Sequence, residues 1–497
     1  MRVQFSFIIL LSVSILSLLI FFLHLCGLVT ATNEVYARFG LLGVFTVGFL
    51  LLVLQKSKSH KFSLADFYKN DTFISIALLI LLVSSFLYSE VGYYTIGLFV
   101  LAAFIHFLYT RKFYPPNKIF YFVILYALLQ FFGTIGTEKG FHFPDRTLCY
   151  YLLPLSLCFF RLSKQTLLCI GELFFKSAII FLAVCMLYWW YNFLHLDANF
   201  IDWITTKTGY SVEMIGWKTQ ARTINSQSIE IYGEGIFYFQ AYFFVNSWAY
   251  FYHPTFVSFV LFSALITGLY LYLKKDTTVQ VSRFEMILYI VFCFFVVILM
   301  ESRVGLVGFL FIITATSLYY LKQKTNYFKT VLIFFLLLGC TALYMSNDTV
   351  SDFANDDIRD AYRRIAVSYI QDHFWWGSGF RQEQIALQQQ AEIMKDVLPQ
   401  SVYPHVDVRI YHAHNQFLGD MVQFGIWGLL ALLAMLTAIG YHAIKKRSYL
   451  LQMFLCIVVL LMMIDEPLYI SYATIRFVTF LVFFTAIAEG RSKSEKI

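Results

Sequence analysis

The chain of 497 residues is 59% hydrophobic and 13% charged, with a mean hydropathy of +0.69, which excludes a soluble globule. Unpaired backbone groups are costly in hydrocarbon, so apolar runs of about 20 residues must cross a bilayer as helices, and the alternation that a membrane barrel needs is absent. The formal charge of +7 sits mostly in short loops, where it reads as an orientation signal and not as a nucleic-acid footprint.

Apolar runs stand near 5–29, 36–55, 72–88, 91–110, 119–135, 147–160, 166–193, 251–273, 285–301, 303–321, 330–346, 419–443, 449–464 and 469–489. The expected fold class is therefore all-α, a polytopic transmembrane helix bundle of about 12–14 spans, with residues 1–497 as a single membrane domain. Lysine and arginine cluster in the loops that alternate onto one side, among them Lys56 to Lys61, Arg111 to Lys118, and Lys445 to Arg447. The short connections at 30–35, 89–90 and 465–467 have none. Both termini are expected to be cytoplasmic on this pattern. The first run is read as an uncleaved span, being longer than a typical signal-peptide core and lacking a clear cleavage site. All eight cysteines fall in or beside apolar runs without a CxxC pair, as suits small buried hydrophobes. Glu172 and Lys176 have the spacing of a helix-end ion pair.

Two outer segments, 192–250 and 346–411, are far longer than ordinary connections. Both are expected to carry function and to contain short helices. In the second, Ile358, Ala361, Tyr362, Ile365 and Tyr369 share one helical face while Arg359, Arg363 and Arg364 lie on another. A turn at Gly377-Ser378-Gly379 follows, then a second helical piece over about 382–397.

The densest polar constellation is His412-Ala413-His414-Asn415, followed after nine residues by Gly425-Ile426-Trp427-Gly428. This run resembles the signature of the O-antigen ligase family. Glu301-Ser302-Arg303-Val304-Gly305 resembles that family's Ser-Arg-containing helix, and weaker echoes stand at Tyr252-His253-Pro254 and at Trp376-Gly377-Ser378-Gly379. The likeness covers about half of the chain, 250–430; the N-terminal half matches only as a stack of spans. Two departures are Val307 where the family carries leucine, and the absence of any arginine between Arg222 and His253, near the proline turn.

The resemblance implies transfer of a glycan from an undecaprenyl-diphosphate donor at the periplasmic face of the bacterial inner membrane. The acceptor would be lipid A core or another glycan, with membrane lipids around the protein, no metal, no cofactor and no nucleic acid. Such transfer needs an acceptor for the hydroxyl proton and cations for the charge that grows on the departing diphosphate. A histidine suits the first task near neutral pH, and arginine the second. The expected catalytic set is His414 as base, Arg303 as diphosphate clamp, and Asn415 and His412 as orienting groups. Expected substrate contacts are Arg222, Arg359, Arg363, Arg364 and His253.

Each residue also has a plainer reading. His412 would be an interfacial polar group, Arg303 a residue reaching for outer headgroups, and the arginine run a solvated helix face. Asp352, Asp356 and Asp357 lack a fixed ligand spacing and read as an acidic helix start. No Walker-type motif points to ATP hydrolysis. Within the family the expected order is ligase, then polymerase, then protein O-oligosaccharyltransferase. A transporter of lipid-linked sugars is the reading from another class, against which stands the lack of a half-to-half repeat.

Overall fold

The computed structural model describes residues 71–86, 89–133, 148–194, 210–215, 218–223, 231–233, 254–274, 281–299, 303–322, 357–380, 382–394, 412–469 and 471–490. The runs expected at 5–29, 36–55 and 330–346 lie outside these residues.

In chain order the helices are α1 Thr72–Ser84, α2 Ser89–Thr110, α3 Lys118–Phe132, α4 Leu148–Ser156, α5 Lys164–Leu194, α6 Pro254–Lys274, α7 Arg283–Leu299 and α8 Arg303–Lys322. They continue as α9 Asp357–Asp372, α10 Glu383–Ile393, α11 Gln416–Phe424, α12 Ile426–Lys445, α13 Tyr449–Met462 and α14 Ser471–Glu489. The architecture is the expected helical one, and the protein is an integral membrane protein. Among the described residues, the segments Gly92–Thr110, Lys164–Ala183, Thr255–Lys274 and Ile426–Lys445 are long and apolar enough to cross a membrane, with shorter apolar helices beside them.

Two details differ from the expectation. The first outer segment holds, where it is described, an antiparallel sheet in the order β1 Tyr210–Ile215, β2 Lys218–Thr223, β3 Ile231–Gly233, and not a helix. Tyr210 faces Thr223 and Thr219 faces Gly233 in register. The threonines, valine and isoleucines of this stretch suit extended backbone better than helix. The run read as one span over 419–443 is two helices, broken at Gly425, so the span proper begins at Ile426.

The chain divides into two compact units, Met1–Val91 with Leu168–Leu306, and Gly92–Leu167 with Val307–Ile497. In the first, α6 is almost wholly buried, with Phe256, Phe259 and Phe262 at its centre. Two of its buried hydroxyls are satisfied by the helix itself: Ser263 donates to the Phe259 carbonyl and Thr267 to the Ser263 carbonyl. Tyr289 on α7 donates to the Leu261 carbonyl at 2.8 Å and packs on the Phe175 ring of α5. Lys176 reaches Glu172 at 2.6 Å, the helical pair expected from spacing.

In the second unit α14 forms the centre, with Val478, Phe480, Leu481, Phe483 and Phe484 fully buried. The Phe454 ring of α13 stacks on Phe477, 5.8 Å between centroids. Asn117 caps α3 by accepting from the Ile119 N–H and donates its amide to Glu489 at the end of α14. The opposite faces of α2 and α3 expose Leu101, Phe104, Leu108, Tyr121 and Leu125, a surface suited to lipid.

Also in the second unit, α9, α10 and α11 make a cap with its own core. Ala361, Tyr362, Ile365, Ala366, Tyr369 and Ile370 of α9 pack on Ala386 and Leu387 of α10 and on Ala413 and Val422. The apolar face read from the spacing of α9 is the one that is buried.

Candidate active site

The four residues 412–415 each do a different structural job. Asn415 is extended, and its Oδ1 accepts from the Phe417 and Leu418 N–H groups, which starts α11. Its amide donates to the Met463 carbonyl at 3.0 Å, tying α11 to the end of α13. His414 lies in the left-handed region at φ 51, a strained setting for a side-chain-bearing residue that surrounding contacts must enforce. Ala413 is buried in the cap core, and its N–H donates to Glu383 Oε1 at 2.9 Å.

The His414 ring stacks on Tyr362 of α9, with 5.7 Å between centroids and an 11° angle between planes. Its Nδ1 faces the buried Asp465 carboxylate, with Oδ1 4.0 Å away. A carboxylate on that side favours the ring proton on Nδ1 and leaves the Nε2 lone pair to accept another. The side chain stays a quarter exposed, at 26%, so an incoming hydroxyl can reach it.

His412 turns the other way. Its Nδ1 lies 3.5 Å from Glu383 Oε2 and 3.4 Å from Glu466 Oε2. Burial by itself would lower its pKa, but the attraction of the two carboxylates outweighs this and carries it to about 10. Glu466 is fully buried, and burial followed by the Glu383 charge holds its carboxyl well above the usual range. Glu383 is held further by the Gln423 amide, which donates to Oε2 at 2.9 Å.

A further buried carboxylate lies one turn along α11. Asp420 accepts from the Tyr126 hydroxyl of α3 at 2.9 Å and from the Tyr469 hydroxyl. Burial raises its pKa to about 8 against the opposing effect of these hydrogen bonds. Gln416 extends the node, accepting from the Leu468 N–H and donating to the Tyr126 oxygen.

The glycine turn of the second outer segment and the Gly-Ile-Trp-Gly element, far apart in sequence, form one unit. Ser378 and Gly379 donate their N–H groups to the Val422 and Gln423 carbonyls, and Ile426 donates to the Phe374 carbonyl, all at 2.8 Å. Gly377 and Gly425 both have positive φ, 61 and 63. A Cβ on Gly425 would stand 2.4 Å from the Trp375 carbonyl carbon, so the two turns approach this closely because these positions are glycine. Trp375, Trp376 and Trp427 are exposed beside the start of α12, which suits the headgroup level.

Residues 288–433 match the O-antigen ligase family. The matched stretch contains most of α7, Arg303, the cap and the whole His-Asn signature, and it supports placement in the O-antigen ligase/polymerase family. No curated protein matches the chain.

The expected site residues fare differently. His412, His414 and Asn415 come together with Asp465 and Tyr362. Arg303 stands at the first position of α8, Arg359 in the first turn of α9, and Arg222 in β2 opposite Ser211. Arg363 is half-buried on α9. Arg364 is exposed and pairs with Asp360 at 3.3 Å, a solvated helix pair of little energetic weight. His253, Asp352 and Asp356 lie outside the described residues.

Sequence reading missed Glu383, Asp465, Glu466 and Asp420. The signal available for the middle pair was an Asp-Glu-Pro group closing a short connection between two spans. Arg476, buried within α14, was also missed, and a cation in such a helix is costly enough to mark a functional position.

Proposed function

We propose that the protein transfers a glycan from an undecaprenyl-diphosphate donor to an acceptor hydroxyl at the periplasmic face of the inner membrane, with lipid A core as the acceptor. Both termini are then cytoplasmic. The observation that carries this reading is the His414 ring, held by a strained backbone, a stacked tyrosine and a carboxylate 4.0 Å from Nδ1, and still a quarter exposed.

In the reaction the acceptor oxygen attacks the anomeric carbon, and the bond from that carbon to the diphosphate oxygen breaks. The hydroxyl proton goes to Nε2 of His414, the diphosphate departs with the bonding electrons, and the imidazolium later returns its proton to water. Asp465 stabilises the charged ring while it exists. Asn415 orients the ring by starting α11, and His412 holds the preceding turn. Arg303 is assigned to the diphosphate, where its permanent charge and paired donors meet the growing negative charge. Arg222, Arg359, Arg363 and His253 are assigned to the rest of the substrate. No step uses a metal or a cofactor.

The test is the lipopolysaccharide gel profile of a deletion strain complemented with wild type or His414→Ala. Bare core in the deletion, a ladder with wild type and bare core again with His414→Ala at equal membrane abundance are expected. Core carrying a single repeat in the deletion would assign the same chemistry to a polymerase. An unchanged ladder would move the assignment to protein glycosylation or transport.

A further inference from the structure

We propose that Glu383, His412 and Glu466 bind one divalent transition-metal cation of the zinc class, which braces the loop carrying His414. The ion would touch neither sugar nor phosphate, so the proposal stands or falls independently of the glycan-transfer reading.

The first support is geometry. One ligand atom from each of the three side chains lies within 4.8 Å of the other two. Both carboxylates approach the same ring nitrogen, Nδ1, at 3.5 and 3.4 Å. A ring nitrogen offers one proton in one direction, so it cannot donate to both, and a charge-assisted hydrogen bond would be shorter, about 2.7–2.9 Å. Ligand atoms around a tetrahedral ion with bonds of about 2.0–2.2 Å stand about 3.3–3.6 Å apart. The two separations to Nδ1 fall in that interval.

The second support is charge and satisfaction. Glu466 is 0% exposed, and neither of its oxygens has a hydrogen-bond partner. With a single imidazolium as the only cation, both carboxylates cannot be ionised at once without leaving a net negative charge out of water, which is expensive, so without an ion Glu466 keeps a proton. A divalent ion with a neutral imidazole closes the sum to zero.

The third is the surrounding shell. Glu383 is aimed by the Ala413 N–H on one oxygen and the Gln423 amide on the other, each at 2.9 Å, the kind of outer contact that fixes a ligand carboxylate. The His412 side chain is 41% exposed, which supplies a way in and room for a water in the fourth position. Two carboxylates and an imidazole suit zinc; magnesium and calcium ask for six or more oxygens.

The experiment uses full-length protein in detergent, stripped with chelator, desalted and titrated separately with Zn²⁺ and Mn²⁺. Bound ions are counted by mass spectrometry of the elements. One zinc per chain is expected, with manganese weaker. Glu466→Gln and Glu383→Gln, which keep side-chain shape, should each weaken zinc binding at least about tenfold. The wild-type count needs no variant, so misfolding cannot hide the answer. Failure of wild type to hold a stoichiometric ion would leave a proton on His412 as the charge between the carboxylates and would overturn the proposal. Equal zinc binding in wild type and both variants would place the ion elsewhere and overturn it too.

Discussion

Asn415 shows how much one side chain can settle. Its oxygen starts α11 and its amide holds the Met463 carbonyl, so the strained residue before it is fixed from both sides of the cap. Replacing a helix-capping asparagine by alanine costs about 1 kcal/mol. Asn415→Ala should therefore lower the melting temperature in detergent. Asn415→Asp, which keeps the capping oxygen and loses the donor to Met463, should recover part of the loss. Equal melting of all three proteins would show that the loop is held by other contacts. The asparagine was legible in the sequence as part of a signature, but its partner at 463 was not, because nothing in a linear string brings the end of one span to the start of another helix.

At the scale of elements, the paired turns at 374–379 and 422–426 decide where α12 begins. The left-handed glycines and the three cross-hydrogen bonds force a break in what composition presents as one apolar run. Gly425→Ala would combine a backbone conformation that alanine resists with a Cβ 2.4 Å from the Trp375 carbonyl carbon. A loss of more than about 2 kcal/mol is expected from such strain, read as a lower melting temperature and a smaller monodisperse fraction. Gly377→Ala strains the same contact, so the double variant should cost less than the sum of the singles. Full additivity would mean that the two turns act separately. The arginine-bearing helix was legible through its 3.6-residue period, whereas the sheet at 210–233 was not, since short strands between polar residues leave little periodic signal.

For the molecule as a whole, Asp420 ties together α3, α11 and the connection before α14, reaching Tyr126 and Tyr469 across 294 and 49 residues of sequence. Its folded pKa of about 8 exceeds the ordinary carboxylate value near 4. Between those values the folded protein holds a proton that the unfolded chain has released. Stability from this group is full below about pH 4 and is lost as pH climbs through about 8. Asp420→Asn removes the slope, so its melting temperature relative to wild type should rise between about pH 5 and about pH 8. A constant difference across that interval would show that Asp420 stays ionised throughout.

Composition and hydropathy were enough to place this chain in a membrane as a helical bundle, because the cost of unpaired backbone in hydrocarbon leaves one solution for runs this apolar. The resemblance of His414-Asn415 and Gly425-Ile426-Trp427-Gly428 to a family signature was enough to mark His414 and Asn415 as candidates. Only the folded chain brings Glu383, Asp465 and Glu466 to those histidines. Carboxylates from two separate stretches of sequence converge on His412 and His414, and the burial that raises the proton affinity of Glu466 is a property of packing, which no single stretch contains.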